Sequence, residues 1–239
     1  MFKVAWVARF REGMTRAEGS AYWTNVHAPL GLRVDALKGY VQNHVVGTIG
    51  ASGIIDADRA FDGYSCEWFD DCSAFERMLA SPEWQAVVAD GDKVFAIDSM
   101  DGMSAVVEQR VMRDGPHSPF KVVWFARWRP ELSHADASDY WLNVHGRIAL
   151  EAPGIDRYVQ NLVVGSIGAE GVGNDPVKYD GFSECWFASR EAYERSMETP
   201  EWKGLVEDGP NLLDLYALEQ GMSAVVEERV IKPEPGQRR

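Results

Sequence analysis

The chain is written twice, and that duplication fixes most of what it can become. Phe2-Lys3-Val4-Ala5-Trp6 returns as Phe120-Lys121-Val122-Val123-Trp124, and Tyr22-Trp23-Thr24-Asn25-Val26-His27 as Tyr140-Trp141-Leu142-Asn143-Val144-His145. Tyr40-Val41-Gln42-Asn43 returns at Tyr158 to Asn161, and Pro82-Glu83-Trp84 at Pro200 to Trp202. The spacing is constant until the last segment, where Gly102 to Glu108 recurs at Gly221 to Glu227, one residue late. Two long copies filling 239 residues are a duplicated domain, since a solenoid stacks several short repeats. Arg113-Asp114-Gly115-Pro116-His117-Ser118-Pro119 has linker composition. The expected units are therefore 1–113 and 119–233.

Each copy reads strand, helix, strand, strand, helix, strand. Lys3 to Phe10 is a β-rich opening. Thr15-Arg16-Ala17-Glu18 is a capping box that opens a helix to about Ala28, and Ser133 with Asp136 repeats it. Tyr40 to Gly47 is a strand, and Tyr64 to Phe69 another, entered through the Asp62-Gly63 turn signal. A helix follows, interrupted where Ser81 can cap and Pro82 suits a first helical position. Met103 to Met112 closes the copy as a strand. This order predicts an α+β fold of two ferredoxin-like repeats, each with helices on one sheet face. A bare second face carrying Trp and Tyr must be covered. The two repeats are accordingly expected to pack sheet to sheet, as an intramolecular dimeric α+β barrel with a shared interior.

Strand side chains alternate between faces. Tyr40, Gln42 and His44 share one face of their strand, and Tyr64, Cys66 and Trp68 share one face of theirs. These bulky polar and aromatic sets are assigned to the cavity between the sheets. The smaller sets go to the helix side, where Asn43 and Glu67 fit least well. On the first helix, Trp23 and His27 are four apart and lie on one face. His27, His44 and Tyr40 then form the acid–base candidates, with Gln42, Cys66 and Trp68 as substrate contacts. Two imidazoles and a phenol exchange protons at neutral pH without a cofactor, and indole walls suit a flat apolar substrate. Cys66 lacks an activating cation in sequence and reads as a small buried thiol.

Copy two keeps His145, Tyr158, Gln160 and Trp186, but Leu162 replaces His44. Cys66-Glu67 is reversed to Glu184-Cys185, which moves the carboxylate to the other strand face. The half-sites are therefore chemically unequal. His145 and Glu184 are the catalytic candidates of copy two, with Tyr158, Gln160 and Trp186 as substrate contacts. A carboxyl in an apolar cavity tends toward a raised pKa, so Glu184 is expected to act as an acid while copy one abstracts the proton.

Other signals are weaker. Gly47 to Gly53 and its copy Gly165 to Gly171 match neither phosphate-loop nor dinucleotide patterns and read as strand-to-loop connections. Trp84 and Trp202 are expected to pack the second helix onto the sheet. Trp6 and Trp124 are candidates for the interior, with register open. No His/Cys spacing suits a zinc site, and no cofactor motif is present. A net charge of −13 argues against phosphate-backbone and anionic membrane partners. No apolar run reaches the ~18 residues of a spanning helix. Met1 to Arg9 is too short and too soon charged for a signal peptide, and three cysteines form no disulfide framework. A cytoplasmic location is expected.

Tyr22-Trp23-Thr24-Asn25-Val26-His27-Ala28-Pro29-Leu30, Gly39-Tyr40-Val41-Gln42-Asn43-His44 and Tyr179-Asp180-Gly181-Phe182-Ser183-Glu184-Cys185-Trp186-Phe187 with Pro200-Glu201-Trp202 resemble the EthD-like family of dimeric α+β barrel proteins, here in tandem. The resemblance implies a barrel with outer helices and a hydrophobic interior. Its superfamily spans cofactor-free monooxygenases, cyclases, lactone isomerases, dehydratases and some haem enzymes, so fold membership selects no reaction. The methylmuconolactone methylisomerase relative implies a role for His27 and His44. Copy two departs from the pattern, with Arg147 for Pro29 and no second histidine.

The leading expectation is a cofactor-independent lyase, isomerase or dehydratase. It would use histidine acid–base chemistry on a hydrophobic oxygenated molecule such as an aromatic, a lactone or a polyketide-like ring. A cofactor-free monooxygenase and a non-catalytic small-molecule-binding accessory protein remain open, as does a haem enzyme using His27 or His145. A homo-oligomer of the internal pseudo-dimer is a further expectation.

Overall fold

The computed structural model describes residues 1–50, 53–55, 61–97, 102–168, 171–214 and 222–236. The first repeat contributes β1 (Phe2–Ala8), α1 (Arg16–Tyr22), α2 (Ala28–Gly31), β2 (Gly39–Gly50), β3 (Gly53–Ile55), β4 (Gly63–Phe69), α3 (Cys72–Leu79), α4 (Pro82–Gly91) and β5 (Ala105–Arg113). The second contributes β6 (Phe120–Ala126), α5 (His134–Tyr140), α6 (Gly146–Glu151), β7 (Ile155–Gly168), β8 (Gly171–Gly173), β9 (Gly181–Phe187), α7 (Arg190–Met197), α8 (Pro200–Leu212) and β10 (Ser223–Lys232). Ala51 and Ser52, Ala169 and Glu170, within the two glycine-rich connections, and Gly221 lie outside the described residues.

The local signals act as their chemistry dictates. Thr15 Oγ1 accepts from the Glu18 amide at 3.2 Å, and Glu18 Oε2 accepts from the Thr15 amide at 2.9 Å, which closes the capping box. Ser81 caps α4, with Pro82 where a missing N–H costs no bond. Between α1 and α2 the helix widens into a π turn over Trp23–His27, and the second repeat does the same at Trp141–His145. Arg147 stands in the second repeat where Pro29 stands in the first, so proline does not cause the turn.

All strand pairs are antiparallel. Their order is β10-β6-β9-β7-β5-β1-β4-β2, and β2 pairs back to β10, closing an eight-stranded barrel. The repeats thus meet edge to edge along the β5–β7 and β10–β2 seams, each bulged, as one continuous wall. The expected intramolecular barrel with a shared interior is present, its two sheets joined at both edges as well as packed across one core. Closure leaves no free edge on those eight strands. β3 and β8 fold back on the far ends of β2 and β7 as short hairpin arms.

Register decides which residues face inward. Val41 pairs with Cys66 and Asn43 with Tyr64, and these line the barrel interior, whereas Tyr40 pairs with Glu67 and Gln42 with Ser65 on the helix side. Trp6 and Trp124 are also on the helix side, 5.7 Å from Trp84 and 5.8 Å from Trp202 between ring centroids. They are not in the interior. The interior is filled by Phe61, Tyr64, Phe125, Tyr179 and Phe182, among the aliphatic side chains of the wall.

A buried ionic lattice crosses between the repeats inside the barrel. Lys121 Nζ lies 2.6 Å from Glu184 Oε1 and 2.7 Å from Glu228 Oε2, and donates to Asn43 Oδ1 at 2.7 Å. Lys3 Nζ donates to Asn161 Oδ1 and Gln109 Oε1, each at 2.7 Å, and is 3.9 Å from Glu184 Oε2. Tyr64 and Asn161 also donate to Glu184, at 2.7 and 2.9 Å. Breaking such a lattice strands an uncompensated charge. Glu184→Leu is therefore expected to cost about 3–5 kcal/mol in urea unfolding; a loss below about 1 kcal/mol would contradict this assignment.

Candidate functional site

Between the outer face of β1, β2 and β4 and the helices of the first repeat lies a cavity of about 890 Å³. Trp6, Trp84, Phe95 and Phe69 give it aromatic walls, and among the described residues His27, Tyr40 and Glu67 are its titratable groups. Glu67 reaches it because β4 alternates, sending Ser65, Glu67 and Phe69 outward while Tyr64, Cys66 and Trp68 turn inward.

Glu67 is 8% exposed. Trp6 Nε1 donates to its Oε2 at 3.1 Å, and Ser65 Oγ donates to Oε1 at 3.4 Å. Burial pushes its pKa up to about 7, against the partial restraint of those two donors. It is therefore poised between base and acid at neutral pH. Across the ladder, the Tyr40 hydroxyl accepts from Trp23 Nε1 at 3.1 Å and from Gln42 Nε2 at 2.8 Å. Both bonds land on its oxygen, which leaves its own proton to donate. Burial, then the neighbouring Glu67 charge, raises the Tyr40 pKa, so this phenol keeps its proton.

His27 stands on the π turn, its Nδ1 3.0 Å from Asp90 Oδ2. A carboxylate only accepts, so Nδ1 carries the ring proton and Nε2 the lone pair. Burial lowers the His27 pKa, opposed by Asp90. Asp90 also accepts from Tyr22 at 2.9 Å and Lys93 at 3.1 Å.

The remaining sequence candidates divide among other places. His44 does not line the cavity with His27, which corrects that expectation. Its Nδ1 is 2.8 Å from Ser20 Oγ, its Nε2 3.0 Å from Gln42 Oε1, and burial followed by the Arg229 charge lowers its pKa to about 4. It is a neutral ring with both nitrogens engaged. Gln42 is fully buried behind Tyr40. Cys66 and Trp68 lie on the opposite side of the wall, inside the barrel, and burial pushes the Cys66 thiol up to about 12. The expected single constellation is therefore split by the barrel wall.

In the second repeat, His145 Nδ1 meets Asp208 at 2.8 Å, and Tyr140 donates to the same carboxylate at 2.6 Å. Gln160 donates to Tyr158 at 2.9 Å. Cys185 occupies the position of Glu67, and Tyr193, that of Phe75, is 1% exposed against Trp202. Glu184 and Trp186 face the barrel interior, where Lys121 sits 4.2 Å over the Trp186 ring. Burial would raise the Glu184 pKa, but Lys121 and Lys3 outweigh it and hold the carboxyl at about 2. It is a fixed anion, not the acid expected.

Glu67 is the residue that sequence reading missed as a site. Its signal was being a carboxylate in the strand set assigned to the helix side, where it fitted poorly. Among the described residues, no group of three or more His, Cys, Asp or Glu side chains is placed to hold a metal, and no helix is long and apolar enough to cross a membrane.

The EthD domain pattern matches residues 11–109 and 129–216. The chain belongs to the EthD domain family. An anthrone oxidase-like protein superposes with a TM-score of 0.59 at 12% identity, covering 100% of this chain and 96% of that one. A candidate monooxygenase of Fusobacterium nucleatum superposes with a TM-score of 0.54 at 11% identity, covering 97% and 92%. At these identities the likeness is of fold. No curated protein matches the EthD chain in sequence.

The raised Glu67 pKa has a consequence for stability. The folded protein binds that proton more tightly than the unfolded chain, whose carboxyl has the ordinary value of 4.5. The stabilisation is fully present below pH 4.5 and is lost as pH rises through about 7. Relative to Glu67→Gln, the wild type should lose roughly 3 kcal/mol of unfolding free energy between pH 4 and 8. Urea titrations of both proteins check this, and parallel pH profiles would contradict it.

Proposed function

We propose that the first-repeat cavity is an active site in which Glu67 moves a proton on a flat, oxygenated, largely apolar molecule. The observation that carries this reading is a buried carboxyl with a pKa near 7 inside an aromatic-walled cavity. Ionised Glu67 takes a proton from a carbon beside a carbonyl. The electron pair moves onto the carbonyl oxygen, which the Tyr40 hydroxyl stabilises by donating to it. Protonated Glu67 then returns the proton to another carbon, an isomerisation, or to a departing hydroxyl, an elimination of water. His27 Nε2 accepts from a substrate hydroxyl, and Trp6, Trp84 and Phe95 hold the ring by stacking. None of these proton steps requires a cofactor.

The second repeat supports this assignment as an internal control. It keeps the His–Asp–Tyr bridge but has no acid at the Glu67 position, so His145–Asp208 braces helices, and the acid sets the active repeat apart. The strand order β5-β1-β4-β2 supports reading each repeat as a ferredoxin-like unit, over 1–113 and 119–233.

A second reading uses the same base. The two superposing proteins are named for oxidation chemistry. An enolate made by Glu67 is electron-rich enough to reduce oxygen directly, converting a CH₂ and O₂ to a carbonyl and water. Oxygen uptake during turnover separates the two readings.

Glu67→Gln should lower turnover of the true substrate by about 10²–10⁴-fold. His145→Ala, checked for retained folding, should leave turnover within about a factor of two. Full activity in Glu67→Gln would overturn the assignment.

A further inference from the structure

The cavity of the first repeat is not built by that repeat alone. Ile167 and Gly168, at the far end of β7, form part of its lining, although they belong to the second repeat. The arm made by β7 and β8 crosses the β5–β7 seam and lies against the helix layer of the first repeat. Ile167 and Val172 pack on the cluster containing Val4, Phe75 and Met78. The Ile167 amide donates to the Ser104 carbonyl at 3.2 Å. Gly171, at φ +111°, lies beside α3, where a Cβ would make ordinary contact with Leu79 Cδ1 at 3.5 Å.

The opposite arm is the internal comparison. Ile49 and Ile54, on β2 and β3, pack against the second-repeat cluster containing Tyr193 and Trp202. The repeats thus exchange arms. One arm covers a layer filled by Tyr193, and the other borders an open cavity. Equivalent residues have become packing on one side and cavity wall on the other.

We propose that the second-repeat arm is the specificity wall of the first-repeat site, with the Ile167 side chain setting how many fused rings the cavity admits. This rests on the cavity being the active site. The Ile167 side chain is half-buried and borders the cavity, so its size sets how far the cavity extends on that side.

Quenching of tryptophan fluorescence by two planar probes, naphthol with two rings and hydroxyanthraquinone with three, tests the proposal on the full chain without turnover. Ile167→Trp should weaken hydroxyanthraquinone binding by about tenfold or more while changing naphthol binding less than about threefold. Ile167→Ala should bind hydroxyanthraquinone at least as tightly as the wild type. Ile49→Ala, the equivalent change in the other arm, should leave both affinities unaltered. Wild-type affinity for hydroxyanthraquinone in Ile167→Trp, equal weakening of both probes, or an Ile49→Ala effect matching that of Ile167→Ala overturns the wall alone. Failure of the wild type to bind either probe overturns the active-site reading of the cavity as well.

Discussion

A strand in a closed barrel sends alternate side chains into two compartments that never meet, and every role in this chain depends on which compartment a residue enters. β2 and β4 pair so that Tyr40 lies beside Glu67 and Val41 beside Cys66. The first pair opens on the cavity under the helices, the second on the barrel interior. A one-residue slip would exchange them all. The barrel seams, bulged between Val106 and Val107 and between Val225 and Val226, join the repeats while holding that register along both.

The reversal of Cys66-Glu67 to Glu184-Cys185 serves both compartments at once. The interior holds two buried ammonium groups, Lys3 and Lys121, against the carboxylates Glu184 and Glu228. A glutamate at position 66 as well would add a third carboxylate without a cation to balance it. Gln109 likewise occupies the first-repeat position of Glu228 and serves Lys3 as a neutral acceptor. One repeat therefore supplies the interior anion and the other supplies the cavity acid. A symmetric pair of repeats could not do this with one carboxylate each.

The duplication, the helix caps and the alternation of strands were legible because each depends on neighbouring residues or on direct self-comparison. Which face of β2 turned inward was not, although Tyr64, Cys66 and Trp68 of β4 do face the interior as their sequence pattern suggested. Tyr40, Gln42 and His44 look like cavity residues because they are bulky and polar, yet Trp23, Thr24 and Ser20 on the covering helix satisfy them. Those partners are 17 to 24 residues away in sequence. Glu184 read as a perturbed acid for the same reason, since Lys3 and Lys121 reach it from other strands. The sequence did mark Glu67 as out of place on its face, and a misplaced carboxyl was the trace of the site.

The central claim is that Glu67 is a carboxyl titrating near neutrality, and the most direct measurement needs no substrate. The side-chain ¹³C carboxyl resonance of Glu67, identified by its absence in Glu67→Gln, is followed across pH. The account predicts a midpoint near 7. A midpoint at the ordinary carboxyl value of 4.5 would contradict it and leave the cavity without its base.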